Sequence, residues 1–187
     1  MNKNVYVLEW YGPFSSPTEV IEWESKNIGD GKTYLYIIKG KKYAKRNFSY
    51  YCGQAYKQSS GKRITNKGHH INEVIDRPNH ISIWVAKFQN IKPSKGDVNL
   101  VEKLITSVFS QAVVADEKCI LNQTNKLRPR HLVYLINEWY YENGEPIYHT
   151  KKGSIPDMLH DVLICYPHED SASIYGNRKI HYLNELK

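Results

Sequence analysis

Cysteine is scarce in this 187-residue chain. Cys52, Cys119 and Cys165 make up the whole set, with no CxxC pair and no Cys/His ligand spacing, which argues against a structural zinc. An odd, scattered set points to reduced thiols and a cytoplasmic setting. Long apolar runs are missing too. No stretch reaches the roughly 18 residues of a membrane span, so no membrane partner is expected, and no signal-peptide pattern opens the chain. There is no zinc-finger or helix-turn-helix signal, no internal repeat and no low-complexity tract. Negative charge is in deficit, with 19 acidic residues against 26 basic ones and a net charge of +7. That balance favours polyanionic partners through the protein's field and counterion release.

What is present in excess is tyrosine, 15 residues, within a 41% hydrophobic composition that can fill a core. "NVYVLEWYG" (4–12) reads as a strand ended by Gly12-Pro13. Ser16 is a good N-cap, Pro17 suits the first helical position and Glu19 completes a capping box, which predicts a short helix to about Ser25. "TYLYIIK" (33–39) and "FSYYCGQA" (48–55) read as paired strands. "YKQSSGKRITNKG" is a basic loop or helix entry, "HHINEVID" a short helix, and "HISIWVAKFQNI" (80–91) a third strand. The clearest helix is "DVNLVEKLITSVFSQAV", capped by Asp97, with Leu100, Val101, Leu104, Ile105 and Phe109 on one stripe. Residues 131–187 carry strand-like runs, "HLVYLINEWYY", "EPIYHT", "VLICYP" and "KIHYL", with Asn143-Gly144 as a hairpin signal. This order predicts an α+β fold around a small, mostly antiparallel central sheet of about three strands flanked by helices, with an N-terminal strand–helix and a mixed C-terminal addition.

The segment "YLYIIKGKKYAKRNFSYYCGQAYK" (34–57) places a basic connection between two tyrosine-bearing strands. "YLY", then "YCG", then "GKRI", then "VEKLI", then "ILN" resembles the GIY-YIG nuclease domain over residues 31 to about 125. The resemblance implies three parts: an extension over 1–30, a nuclease core over 31–125 and a C-terminal extension over 126–187. It also implies a catalytic set. Tyr36 closes the first motif and takes a proton from water; Tyr51 opens the second and orients; Arg63 follows on a loop; Glu102 sits on the helix after the third strand; Asn122 braces the site. His69 and His70 both compete for a histidine position in it.

Those residue types suit phosphodiester hydrolysis. A carboxylate on a rigid helix is a sensible ligand for Mg²⁺ (or Mn²⁺), a cation often held by one or two carboxylates plus phosphate and water. Arginine offers a planar fork of donors for phosphate oxygens. A phenol is a weak base in water and needs a cationic neighbour. Lys41, Lys42, Lys45, Arg46, Lys57, Lys62 and Lys67 are the candidate DNA contacts. The expectation is a cytoplasmic, metal-dependent DNA endonuclease of restriction or phage type, with RNA also open, working as a homodimer if both strands of a palindrome are cut. The alternative is a non-catalytic nucleic-acid-binding or protein-interaction module that keeps the scaffold.

Overall fold

The structure, a computed structural model, describes residues 3–28, 32–40, 49–66, 80–112, 129–147, 159–168 and 172–175. Along the chain these form β1 (Lys3–Phe14), α1 (Pro17–Asn27), β2 (Leu35–Gly40), β3 (Ser49–Gln54), α2 (Ser60–Thr65), β4 (Ser82–Phe88), α3 (Lys95–Ala112), β5 (Leu132–Tyr140), β6 (Val162–Cys165) and β7 (Ala172–Tyr175). The helix expected in "HHINEVID" and the strand-like "KIHYL" lie outside the described residues.

Local chemistry accounts for the helix starts. At α1, Ser16 is extended and its hydroxyl accepts from the Glu19 N–H at 3.2 Å. Glu19 returns the bond one residue further out than a capping box would place it, to the Ser15 N–H at 2.7 Å. At α3 the expected cap is displaced. Ser94, not Asp97, caps the helix: its hydroxyl accepts from the Asp97 N–H at 3.2 Å, while Asp97 accepts from the Ser94 N–H at 2.8 Å. The other Asp97 oxygen accepts from the Tyr6 hydroxyl at 2.7 Å, which pins α3 to β1.

The expectation of a three-stranded sheet is wrong. The described strands form one seven-stranded mixed sheet in the order β3-β2-β4-β1-β5-β6-β7. The β3-β2-β4 part is antiparallel and matches the three strands expected. β1 continues it, antiparallel to β4 and parallel to β5 over nine matched pairs from Lys3↔Leu132 to Tyr11↔Tyr140. β6 and β7 then add antiparallel strands. The physical reason is that α3's apolar stripe is wider than three strands can cover. Val98, Val101, Leu104, Ile105 and Phe109 pack in one cluster with Leu8 and Trp10 of β1, Leu35 and Ile37 of β2, Trp84 of β4, and Val133, Leu135 and Trp139 of β5. Each such side chain, once fully buried, contributes roughly 1.5–3 kcal/mol.

The opposite face is covered by α1 and α2. There Val20 and Trp23 of α1 and Ile64 of α2 pack with Phe14, Tyr36, Ile38, Tyr51, Ile83 and Val85. β4 is therefore buried on both sides. Trp23 also donates to the Glu142 carbonyl at 2.7 Å, tying α1 to the turn after β5. That turn follows the Asn143-Gly144 signal: Gly144 takes φ 84° and its N–H bonds the Tyr141 carbonyl at 2.9 Å. Among the described residues no helix is long and apolar enough to cross a membrane.

Candidate functional site

Strand register brings the two motif tyrosines together. Tyr36 lies opposite Gly53, and Tyr51 lies opposite Ile38. The tyrosines are thus diagonal neighbours on one face, within reach of one another. Their rings stack with centroids 6.0 Å apart and planes 25° apart. The Tyr36 hydroxyl hydrogen-bonds Tyr51, in the sense that keeps Tyr36 protonated and eases ionisation of Tyr51. Gly53 makes the arrangement possible. A Cβ there would stand 2.4 Å from both Cζ and the hydroxyl oxygen of Tyr36. Sequence reasoning did not single out Gly53, although the glycine closing "YCG" on a strand facing a tyrosine was the available signal.

Arg63 enters from α2, half-buried. Burial is the largest influence on each phenol and pushes both up, and the Arg63 charge pulls both down. The same guanidinium favours the ionised form of Glu102. The Arg63 charge thus favours the ionised forms of Tyr36, Tyr51 and Glu102, with Lys103 adding to it at Glu102.

Glu102 arrives from the other layer. α3 packs against the face opposite the tyrosines, and its Glu102 lies at the end of β3, where Gln54 Nε2 donates to Oε2 at 2.7 Å. Burial raises the Glu102 carboxyl, and Gln54, Lys103 and Arg63 work against that rise. Gln54 is a second residue that sequence reasoning missed, since nothing in a β3 pattern reports which side chain a distant helix will present. Cys52, between Tyr51 and Gly53, faces α3, and burial holds its thiol well above the ordinary range, which makes it packing rather than a nucleophile.

The remaining predicted residues divide in two. Lys57 and Lys62 are exposed. Lys57 sits in a turn closed by the Gln58 N–H to the Ala55 carbonyl, with φ 63° and its Nζ 5.7 Å from the Tyr56 ring centroid. Lys62 lines a cleft of about 300 Å³ with Ile21, Glu24, Lys32, Thr33 and Ser59, between α1 and the start of α2. Lys41, Lys42, Lys45, Arg46, Lys67, His69, His70 and Asn122 lie outside the described residues.

Among the described residues no group of three or more His, Cys, Asp or Glu side chains is arranged to hold a metal. Among the described residues assigned to the site, Glu102 is the carboxylate that could take part in holding one. That donor set fits a hard divalent cation whose other ligands are phosphate and water oxygens, and does not fit zinc or another N/S-loving metal. No protein-family model, curated protein or solved structure matches the chain.

Proposed function

We propose that the chain is a metal-dependent endonuclease that hydrolyses phosphodiester bonds in DNA. The observation that carries this reading is the stacked Tyr36–Tyr51 pair, against which α2, the helix that bears Arg63, packs through Ile64; the Arg63 charge favours ionisation of both phenols. Arg63 would hold non-bridging phosphate oxygens through its planar fork, where fixed positive charge is worth most as charge shifts in the transition state. The two phenols act as one hydrogen-bonded unit, whose titration belongs to the pair rather than to either ring. That unit accepts the proton of the attacking water once it has lost one of its own, and Arg63 is the fixed charge that makes the loss less costly. Glu102 would hold Mg²⁺ or Mn²⁺, which supplies charge neutralisation at the phosphate. Gln54 keeps the carboxylate pointed there.

A second reading has its own support. Tyr36 is only 1% exposed and Tyr51 only 8%, which suits a non-catalytic module in which the pair is packing. One experiment separates the two. Purified chain is incubated with DNA in Mg²⁺ and in EDTA, and the Arg63→Lys variant is compared at saturating enzyme. An endonuclease cleaves only with the metal, and Arg63→Lys, which keeps the charge but loses the fork, lowers single-turnover cleavage by about 10²-fold, or ~2.7 kcal/mol, while binding in Ca²⁺ changes little. Absence of metal-dependent cleavage by the unmodified chain defeats the nuclease reading.

A further inference from the structure

We infer that Glu24, on α1, is the positioning residue for Arg63: its buried carboxylate clamps the first turn of α2 and so sets where the guanidinium stands against the tyrosine pair. The inference rests on the endonuclease reading above for its catalytic meaning, while the clamp itself stands on geometry.

α2 has six residues, too few to hold a helical conformation without outside contacts. The N–H groups of its first turn need acceptors. Ser59 supplies one, to the Lys62 N–H at 3.2 Å. Glu24 supplies two, accepting from the Ser60 N–H at 2.9 Å and from the Gly61 N–H at 3.3 Å. The same carboxylate accepts from the hydroxyls of Ser59 and Thr33. Glu24 is 7% exposed. A carboxylate that deep is costly unless its oxygens are filled, and here four donors fill them. Its charge also complements the partial positive charge at a helix start.

The clamp joins three parts of the site. Glu24 belongs to α1. Ser59, Ser60 and Gly61 lead directly into Arg63, whose N–H bonds the Ser59 carbonyl at 2.9 Å. Thr33 stands just before β2, which carries Tyr36. Contact between the two helices is as close as side chains allow: a Cβ at Gly61 would lie 2.5 Å from Ile21 Cγ1 and 3.0 Å from the Pro17 carbonyl oxygen. α1, which precedes the motif-bearing span, thereby becomes part of the machinery that holds Arg63. Misplacement of a catalytic group by about 1 Å can cost on the order of 10²-fold in rate.

Glu24→Gln tests this in the full-length chain. It keeps the shape but turns one acceptor oxygen into a donor facing N–H groups. Expected is a fall of about tenfold or more in single-turnover cleavage with DNA binding in Ca²⁺ within about twofold, and no further fall when the substitution is added to Arg63→Ala. Equal losses in the presence and absence of Arg63 would overturn the positioning role, because damage that does not act through Arg63 would persist without it. Hydrogen exchange at the Ser60 and Gly61 amides provides a readout independent of cleavage. At least about tenfold faster exchange relative to β2 amides is expected, and unchanged exchange would overturn the clamp even if the chain proves not to be a nuclease. Should Glu24→Gln fail to fold, Ser59→Gly removes one donor to Glu24 while leaving a tolerated cap residue, and the same exchange and cleavage comparisons apply to it.

Discussion

At position 53 a methyl group would lie 2.4 Å from the Tyr36 hydroxyl. The stacking of the two phenols therefore depends on a residue that contributes no side chain. Gly53→Ala is expected to lower unfolding free energy by about 1–3 kcal/mol, the usual cost of forcing a group into filled space. The cost should nearly vanish in a Tyr36→Ala background, because the obstructing ring is gone. Denaturant unfolding of the four proteins in that cycle measures the coupling, and equal costs in both backgrounds would place the strain elsewhere. Glu102 offers a second residue-scale test. Its folded carboxyl is raised above the ordinary 4.5, burial being the largest cause. In the range just above 4.5 the folded state thus binds more protons than the unfolded one, so stability falls as pH rises through that range. Glu102→Gln removes the titration. The stability of the variant relative to the parent is therefore expected to be greater at neutral pH than below 4.5, as read from urea midpoints at a series of pH values. A difference that stays flat with pH would show that Glu102 is better solvated than its burial implies.

Single elements were readable in the sequence wherever the signal is local. The strand reading of 4–12, the Ser16-Pro17 start and the stripe from Leu100 to Phe109 each reflect contacts within a few residues, and the corresponding elements appear at β1, α1 and α3, although β1 runs on through Gly12-Pro13 to Phe14 instead of ending there. Ser16 caps α1 as expected, while the cap of α3 moved from Asp97 to Ser94 for an equally local reason. Ser94 and Asp97 are both good cap residues, and they bond reciprocally, so composition cannot say which one stands outside the helix. The unfolding free energy is expected to drop by about 1 kcal/mol in Ser94→Ala and by only a few tenths in Ser94→Gly, as N-cap substitutions do. Thermal or urea denaturation of the pair checks this, and equal losses would mean that the Ser94 hydroxyl bonds, not the cap conformation, carry the energy. The candidate site was readable only in part. Tyr36, Tyr51, Arg63 and Glu102 fall in a recognisable order along the chain. Gln54 and Glu24 do not, because their partners Glu102 and Ser60 are 48 and 36 positions away and only the folded chain brings them near.

At the scale of the whole molecule, pairing between distant strands escaped the sequence. An alternating run shows that one face is buried; it does not show which strand lies alongside. β1 and β5 each looked like parts of appended segments, yet they run parallel for nine residue pairs in the interior of the sheet, with β4 on the far side of β1. This has a direct consequence for the span 31–125. Cut out alone, it would lose Tyr6, Leu8, Trp10, Val133, Leu135 and Trp139 from the cluster under α3, and Phe14, Val20 and Trp23 from the cluster over the tyrosines. It would also lose the carboxylate that holds α2. β4 would become an open edge with both faces partly bare, a template for association. A fragment covering 31–125 is accordingly expected to show no cooperative thermal transition and to bind the hydrophobic dye ANS, while the full chain melts in one step with little dye bound. Near-UV circular dichroism separates the outcomes, since packed tyrosines and tryptophans give a signal that a collapsed fragment lacks. Cooperative melting of the fragment with a native near-UV signal would show instead that the three-stranded part is an autonomous unit, and that the strands flanking it only extend a sheet already able to fold.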